Sequence, residues 1–270
     1  VEHLFLVAIG LLGGILGGLL GIGGGIIFVL VLPAFLLDYG VSSAEIPSFL
    51  IANSLFCVAF SSLSGLYRHY RYGNLLLKEL ALIAAFSIVV SILVMRFVVN
   101  SSFYTKEIFD FVFYAVIFFM MLQTFLALKK EKYKDEHTPV SFNYRLAFVG
   151  ILSGMVSPLT GLGGGILVVP LLNNLFRYTI KKATAVSIGV IFVTALCTTV
   201  YNMLDGSAAQ YSAWQLGYII FPLAIPLSIG VVMGGSLGVR LNRWIAPNYI
   251  QWLFLAFLTV VLLKRILIGS

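Results

Sequence analysis

Two stretches decide the fold: LLGIGGGII at residues 19–27 and LTGLGGGIL at residues 159–167, the same glycine run repeated at an offset of 140 residues. The runs from Gly21 to Gly25 and from Gly161 to Gly165 fall in the middle of apolar segments at 4–37 and 146–176. Drawn as unbroken α-helices, these segments would be roughly 45–50 Å long at about 1.5 Å per residue. That exceeds the roughly 30 Å of a bilayer's hydrocarbon layer, yet falls short of two crossings. Glycine has no Cβ, enters positive φ freely and weakens a helix interior. Both segments therefore read as helices broken at the run, either re-entrant or discontinuous.

Outward from the runs, the chain is apolar almost throughout. Of its 270 residues, 60% are hydrophobic and 10% charged, against about 25% charged in soluble domains, and the mean hydropathy is +1.05. Such a chain is expected to form a single all-α integral membrane domain (1–270) whose partner is the lipid bilayer. Six segments, at 47–67, 80–99, 108–128, 183–204, 216–241 and 250–268, read as ordinary transmembrane helices bounded by Pro, Gly or charge. Glu2 and His3 lead directly into apolar sequence without the basic n-region of a cleaved leader, so the first segment reads as part of the mature membrane domain. Each glycine run is followed by a proline, Pro33 or Pro170, and then by a helix spotted with polar residues. The chain thus divides into repeat one at 1–128 and repeat two at 145–270, each a broken helix followed by three transmembrane helices. The segment 129–144, which opens with KKEKYKDEH, is the expected cytoplasmic connector.

Charge sets the orientation. The net charge of +7 arises from Lys and Arg in short connectors, the usual placement of topology-setting charge, so no nucleic acid is expected as a partner. If every segment crosses once, Lys and Arg divide 10 against 7. If both broken segments enter and leave on one face, only Arg96, Lys106, Lys264 and Arg265 remain outside, and the split becomes 13 against 4. Corresponding loops also differ in sign: Asp38 and Glu45 follow the first broken segment, whereas Arg177, Lys181 and Lys182 follow the second. This is the pattern of two inverted-topology repeats.

Irregular backbone at membrane depth is tolerated only where protein buries it or a wet cavity adjoins it. Where each half-helix restarts, near Gly24 and Gly164, the first N–H groups lack intrahelical partners and the dipole end is positive. Such ends hold anions. Gly23, Gly24, Gly25, Gly163, Gly164 and Gly165 are therefore candidate substrate-binding residues, with Ala tolerable at Gly24 or Gly164 if φ there is helical. Thr160 before the second run, and Asn53, Ser54 and Ser187 in the helices that follow, offer hydroxyl or amide donors without fixed charge. Ser157 and Ser61 lie close by in sequence, and Ser54 with Ser187 is the candidate symmetric pair. One glycine cluster alone is better read as close helix packing, as Gly230, Gly234 and Gly238 are; two clusters at the midpoints of two over-long segments favour a site. No Asp, Glu, Lys or Arg falls at the centre of a span, where ion-coupled carriers commonly place one. Cys57 and Cys197 read as small hydrophobes. His3, His69 and His137 fall outside the expected spans, so no metal, cofactor or enzymatic reaction is expected.

The paired runs in GLLGIGGGIIFVLVLP and GLGGGILVVPLL, the stretch Asn53-Ser54-Leu55-Phe56, and His69 with Gly73 make the chain resemble the TauE/SafE sulfite exporter family over essentially its whole length. Ser87 and Ser91 stand where that resemblance leads one to expect glycine, and Asn53 where Thr is more usual. The resemblance implies a multi-pass secondary transporter of the bacterial inner membrane that exports a small sulfur-containing anion, such as sulfite or an organosulfonate. A passive anion channel or facilitator of the same fold, uptake in place of export, and assembly into a homo-oligomer stay open at this point.

Overall fold

Proline, glycine and charge end the helices wherever the apolar sequence pauses. The computed structural model describes residues 2–20, 23–71, 73, 75–101, 103–128, 144–245 and 247–268. The expected connector at 129–144 lies outside them except for Tyr144, which opens a helix. The first half comprises α1 (Glu2–Leu20), α2 (Gly25–Asp38), α3 (Ile46–Arg71), α4 (Leu77–Val94, extended by a π-helical turn Met95–Val99) and α5 (Lys106–Leu128). The second comprises α6 (Tyr144–Thr160), α7 (Gly165–Phe176), α8 (Ile180–Leu204), a short hairpin of β1 (Gln215–Leu216) and β2 (Ile219–Ile220), then α9 (Phe221–Trp244) and α10 (Pro247–Ile268).

Among the described residues six helices are long and apolar enough to cross a membrane: Glu2–Leu19, Ile46–Arg71, Leu77–Val99, Lys106–Leu126, Lys182–Leu204 and Phe221–Leu241. The chain is a multi-pass helical membrane protein. Five of these helices coincide with expected spans. The limb before the first glycine run is long enough by itself, and the expected span 250–268 falls within α10, whose apolar stretch Tyr249–Leu263 is shorter. One further expectation is corrected. The helix expected from residue 216 begins at Phe221, because Gly217 takes φ +55° and turns the preceding residues into an antiparallel hairpin, with Gln215 opposite Ile220. A proline in the first turn of α9 then supplies the fixed φ that suits a helix start. His69 lies in the last turn of α3 with Arg68 and Arg71, beyond the expected span 47–67.

Packing exchanges helices between the halves. α1 lies along α9 and α6 along α4, α3 and α8 cross at the centre, α2 packs on α3, α7 on α8, and α5 beside α10. Small residues allow the two exchanged contacts to bring backbones together, as close packing between membrane helices requires. A methyl on Gly10 or Gly14 would lie 2.1 or 2.3 Å from the carbonyl oxygens of Leu227 and Val231 in α9. One on Gly150 or Gly154 would lie 2.5 Å from those of Ile83 and Ser87 in α4. From the α9 side, Gly230, Gly234 and Gly238 meet the carbonyls of Val7, Leu11 and Ile15. The apolar window of α3 is 78% buried and that of α8 67%, against 22% for α5, so α3 and α8 form the centre while α5 turns most of its apolar surface outward.

Candidate functional site

Both broken segments restart from a glycine in the left-handed region: Gly24 at φ 73° before α2 and Gly164 at φ 69° before α7. Gly23, Gly161 and Gly163 are also left-handed, at 74°, 69° and 82°. The two restarts have the same local plan. Ile27 N–H donates to the Gly24 carbonyl and Leu167 N–H to the Gly164 carbonyl, each at 3.2 Å. A Cβ on Gly24 would come 2.4 Å from the Gly13 carbonyl oxygen, and one on Gly164 2.4 Å from that of Ser153. Gly13 and Ser153 are themselves 140 residues apart. Gly17 meets the Gly24 backbone and Gly13 the Phe28 ring, so the chain turns back on α1 after the first run.

The two runs meet each other. A Cβ on Gly25 would lie 3.0 Å from Leu162 Cα and 3.1 Å from the Gly161 carbonyl oxygen. Cβ positions built on Gly23 and Gly163 both point at Val58 of α3, at 3.2 and 2.8 Å, and at Ile191 of α8, at 3.8 and 2.9 Å. Ser54 Oγ donates to the Gly161 carbonyl at 2.8 Å, and Ser187 Oγ donates to the Gly165 carbonyl at 3.1 Å. The structure therefore brings together the glycines of both runs with Ser54 and Ser187. Thr160 adjoins them, its hydroxyl donating to Val156 O at 2.8 Å and accepting from Leu162 N–H at 3.3 Å. Tyr104, which the sequence reading missed, donates to the Leu159 carbonyl at 2.6 Å, and burial pushes its phenol above the ordinary value.

Asn53 is placed differently. Its Nδ2 donates to Phe49 O at 2.7 Å and Tyr218 O at 2.9 Å, and its Oδ1 accepts from Ile220 N–H at 3.0 Å. The amide is committed to tying the hairpin to α3. Around that hairpin, Tyr218 hydroxyl and Ser207 Oγ are 3.0 Å apart, and Ser207 donates to Asp205 through N–H and Oγ. Burial alone would raise the Asp205 carboxyl, but hydrogen bonds from Ser207 and Asn100 outweigh it and hold the group below its ordinary value.

Free hydrogen-bonding capacity adjoins the second run. Among the described residues, the N–H groups of Gly163, Gly164 and Ile166 have no hydrogen-bond acceptor. Ser153 and Ser157 are fully buried and neither hydroxyl has a partner. Ser153 Oγ lies 2.6 Å from where a Gly164 Cβ would stand, so hydroxyl and helix start are adjacent. Ser157 was nameable from sequence; Ser153 was not, although its place 140 residues after Gly13 carried the signal. Beside the first run, Gly17, Gly18, Gly23, Ser61, Ser62, Ser64 and Gly65 line a cavity of about 10 Å³, room for about one water molecule. Among the described residues, none of the atoms nearest the run glycines belongs to a charged side chain. The arrangement offers neutral donors and a positive helix end, which suits an anion.

No solved structure matches the chain. Among proteins of known sequence, a probable membrane transporter protein of Methanocaldococcus jannaschii is 29% identical over 259 residues, covering 95% of this chain and 92% of that protein. A probable membrane transporter protein of Bacillus subtilis is 26% identical, covering 90% and 89%. The Arabidopsis thaliana sulfite exporter TauE/SafE family protein 3 is 26% identical over 139 residues, 49% of this chain and 28% of that protein. The family model described as sulfite exporter TauE/SafE matches residues 6–265. With nearly the whole chain inside that match, the protein belongs to the TauE/SafE family of membrane transporters.

Proposed function

We propose that the chain is a secondary transporter of the bacterial inner membrane that exports a small sulfur-containing anion, sulfite or an organosulfonate, bound where the two glycine runs meet. The observation that carries the reading is the second restart: N–H groups at the head of α7 without acceptors among the described residues lie beside the buried, unpartnered hydroxyl of Ser153, with that of Ser157 one turn further along α6. Each donor added to an ionised oxygen contributes about 1.5–3 kcal/mol, and a partly buried helix end up to about 2 kcal/mol. No fixed cation is needed. The sulfur-containing substrate rests on the family and on the printed name of its Arabidopsis member, and the bacterial membrane on relatives such as the Bacillus subtilis transporter.

Inverted repeats fit this function. The exchanged pairing of α1 with α9 and of α6 with α4, and the matched contacts of Gly24 with Gly13 and of Gly164 with Ser153, support two halves related by a pseudo-twofold axis. In the inverted arrangement that axis lies in the membrane plane and the two helix starts face one central site. Val58 and Ile191, wedged against both runs, are the apolar pair that moves to admit the anion. Counterflow of labelled sulfite in proteoliposomes, with thiosulfate, sulfate and alkyl sulfonates as competitors, tests the proposal. Saturable counterflow is expected. Conductance without counterflow would make the protein a channel, and absence of both would remove sulfur anions as substrates.

A further inference from the structure

A second polar cluster, remote from the glycine runs, sits at the end of α8, about 16 Å beyond Ile191 at about 1.5 Å per residue. Asn202 is fully buried and among the described residues neither its Oδ1 nor its Nδ2 has a partner. Thr199, three residues earlier and so on the same face, is buried with an unpartnered hydroxyl. Asn100 donates through Nδ2 to Asp205 at 2.8 Å, which fixes its orientation and leaves its buried Oδ1 without a donor. Asp205 caps the C-terminus of α8, the end where the helix dipole is negative. The hairpin closes over the cluster, Tyr218 N–H donating to the Asn202 carbonyl at 3.1 Å.

We propose that Asn100, Thr199, Asn202 and Asp205 form a site for a small monovalent cation of the sodium class, which ties the hairpin to the end of α8 and couples its gradient to transport. The ligand chemistry decides the sign. Two amide oxygens, a hydroxyl, one carboxylate and a negative helix end are all electron donors, and oxygen ligands of this kind suit hard cations. An anion there would meet Asp205 and the wrong end of the dipole. A single carboxylate balances one positive charge, which favours a monovalent ion. The coupling role rests on the transporter reading above, whereas the site itself does not.

The test contains no sulfite, so its outcome is separate from that reading. Thermal unfolding of the purified chain in detergent is followed while sodium chloride replaces choline chloride at constant ionic strength. Sodium is expected to raise the Tm by about 3 °C or more, saturably. Asn202→Ala and Thr199→Val, each confirmed monodisperse, should abolish the shift, and Asn202→Asp should lower the sodium concentration at half-shift by about tenfold. If one neutral variant fails to fold, the other and Asn202→Asp decide. A parent chain indifferent to sodium, a shift that survives the neutral variants, or weaker sodium response in Asn202→Asp overturns the proposal. A sulfite-specific shift in place of the sodium one, lost in Asn202→Ala, assigns the cluster to the anion and overturns it as well.

Discussion

Replacing Gly164 with Ala should be costly, and the structure gives two separate reasons. At φ 69° any L-side chain loses roughly 1–2 kcal/mol. The new methyl would also stand 2.4 Å from the Ser153 carbonyl oxygen, a backbone atom that cannot rotate away, and such overpacking costs typically about 1–3 kcal/mol. The expected loss is about 2–5 kcal/mol. A helical φ would have made Ala tolerable, as the sequence suggested; the left-handed geometry removes that expectation for Gly164 and equally for Gly24 at φ 73°. Two controls separate the causes. Gly73 has φ +66° and nothing within 4 Å of an added Cβ, so Gly73→Ala should show only the backbone cost of about 1–2 kcal/mol. Gly14 lacks positive φ but its Cβ would sit 2.3 Å from Val231 O, so Gly14→Ala should show only the clash, about 1–3 kcal/mol. Equilibrium unfolding of the purified proteins in mixed micelles measures all three. Gly164→Ala no more destabilised than Gly73→Ala would refute the claim that the helix start is pressed against Ser153.

Other expectations follow from the hairpin and from topology. Asn53→Leu breaks three hydrogen bonds and orphans the Tyr218 carbonyl and Ile220 N–H, so hydrogen exchange at residues 215–220 should accelerate in proportion to a loss of about 2–4 kcal/mol; unchanged protection would show the amide is not the latch. The Asp205 carboxyl is held below its ordinary 3.8, so its contribution is complete above that value and is lost as pH falls through the lower folded pKa. Hairpin protection should stay level between about pH 5 and 8 and fail only in acid, whereas loosening on going from 5 to 8 would point to another group. With Cys57 and Cys197 replaced, cysteines at Ser43 and Ser207 should label from the periplasm and those at His137 and Asn174 only from the cytoplasm. External labelling at 174 contradicts inverted repeats.

The sequence exposed the helical membrane architecture because span length and charge placement are local properties. It missed the hairpin because QLGYII runs into α9 without a change of hydropathy, and only Gly217 and Pro222 mark the turn and the helix start. The exchange of α1 and α6 between halves was also hidden. Gly10, Gly14, Gly150 and Gly154 announce close approach, but nothing local says that α9 and α4 supply the approaching backbones. At the site, glycine identity carried the left-handed restarts, while hydrogen-bond partners are set by tertiary contacts that no local stretch encodes. Ser54 and Ser187 proved to be carbonyl partners of the second run, Asn53 a hairpin latch, and the unpartnered hydroxyls fell on Ser153 and Ser157.

Those two hydroxyls give the most direct test of the anion site. Neither has a hydrogen-bond partner among the described residues, so Ser153→Ala and Ser157→Ala should leave stability unchanged or slightly raised. If they donate to the bound anion, calorimetric titration with sulfite or an alkyl sulfonate should show each variant binding about tenfold or more weakly, since a hydrogen bond to a charged group contributes about 1.5–3 kcal/mol. Parent-like affinity in both stable variants, and in the double variant, would contradict the placement of the anion at the head of α7.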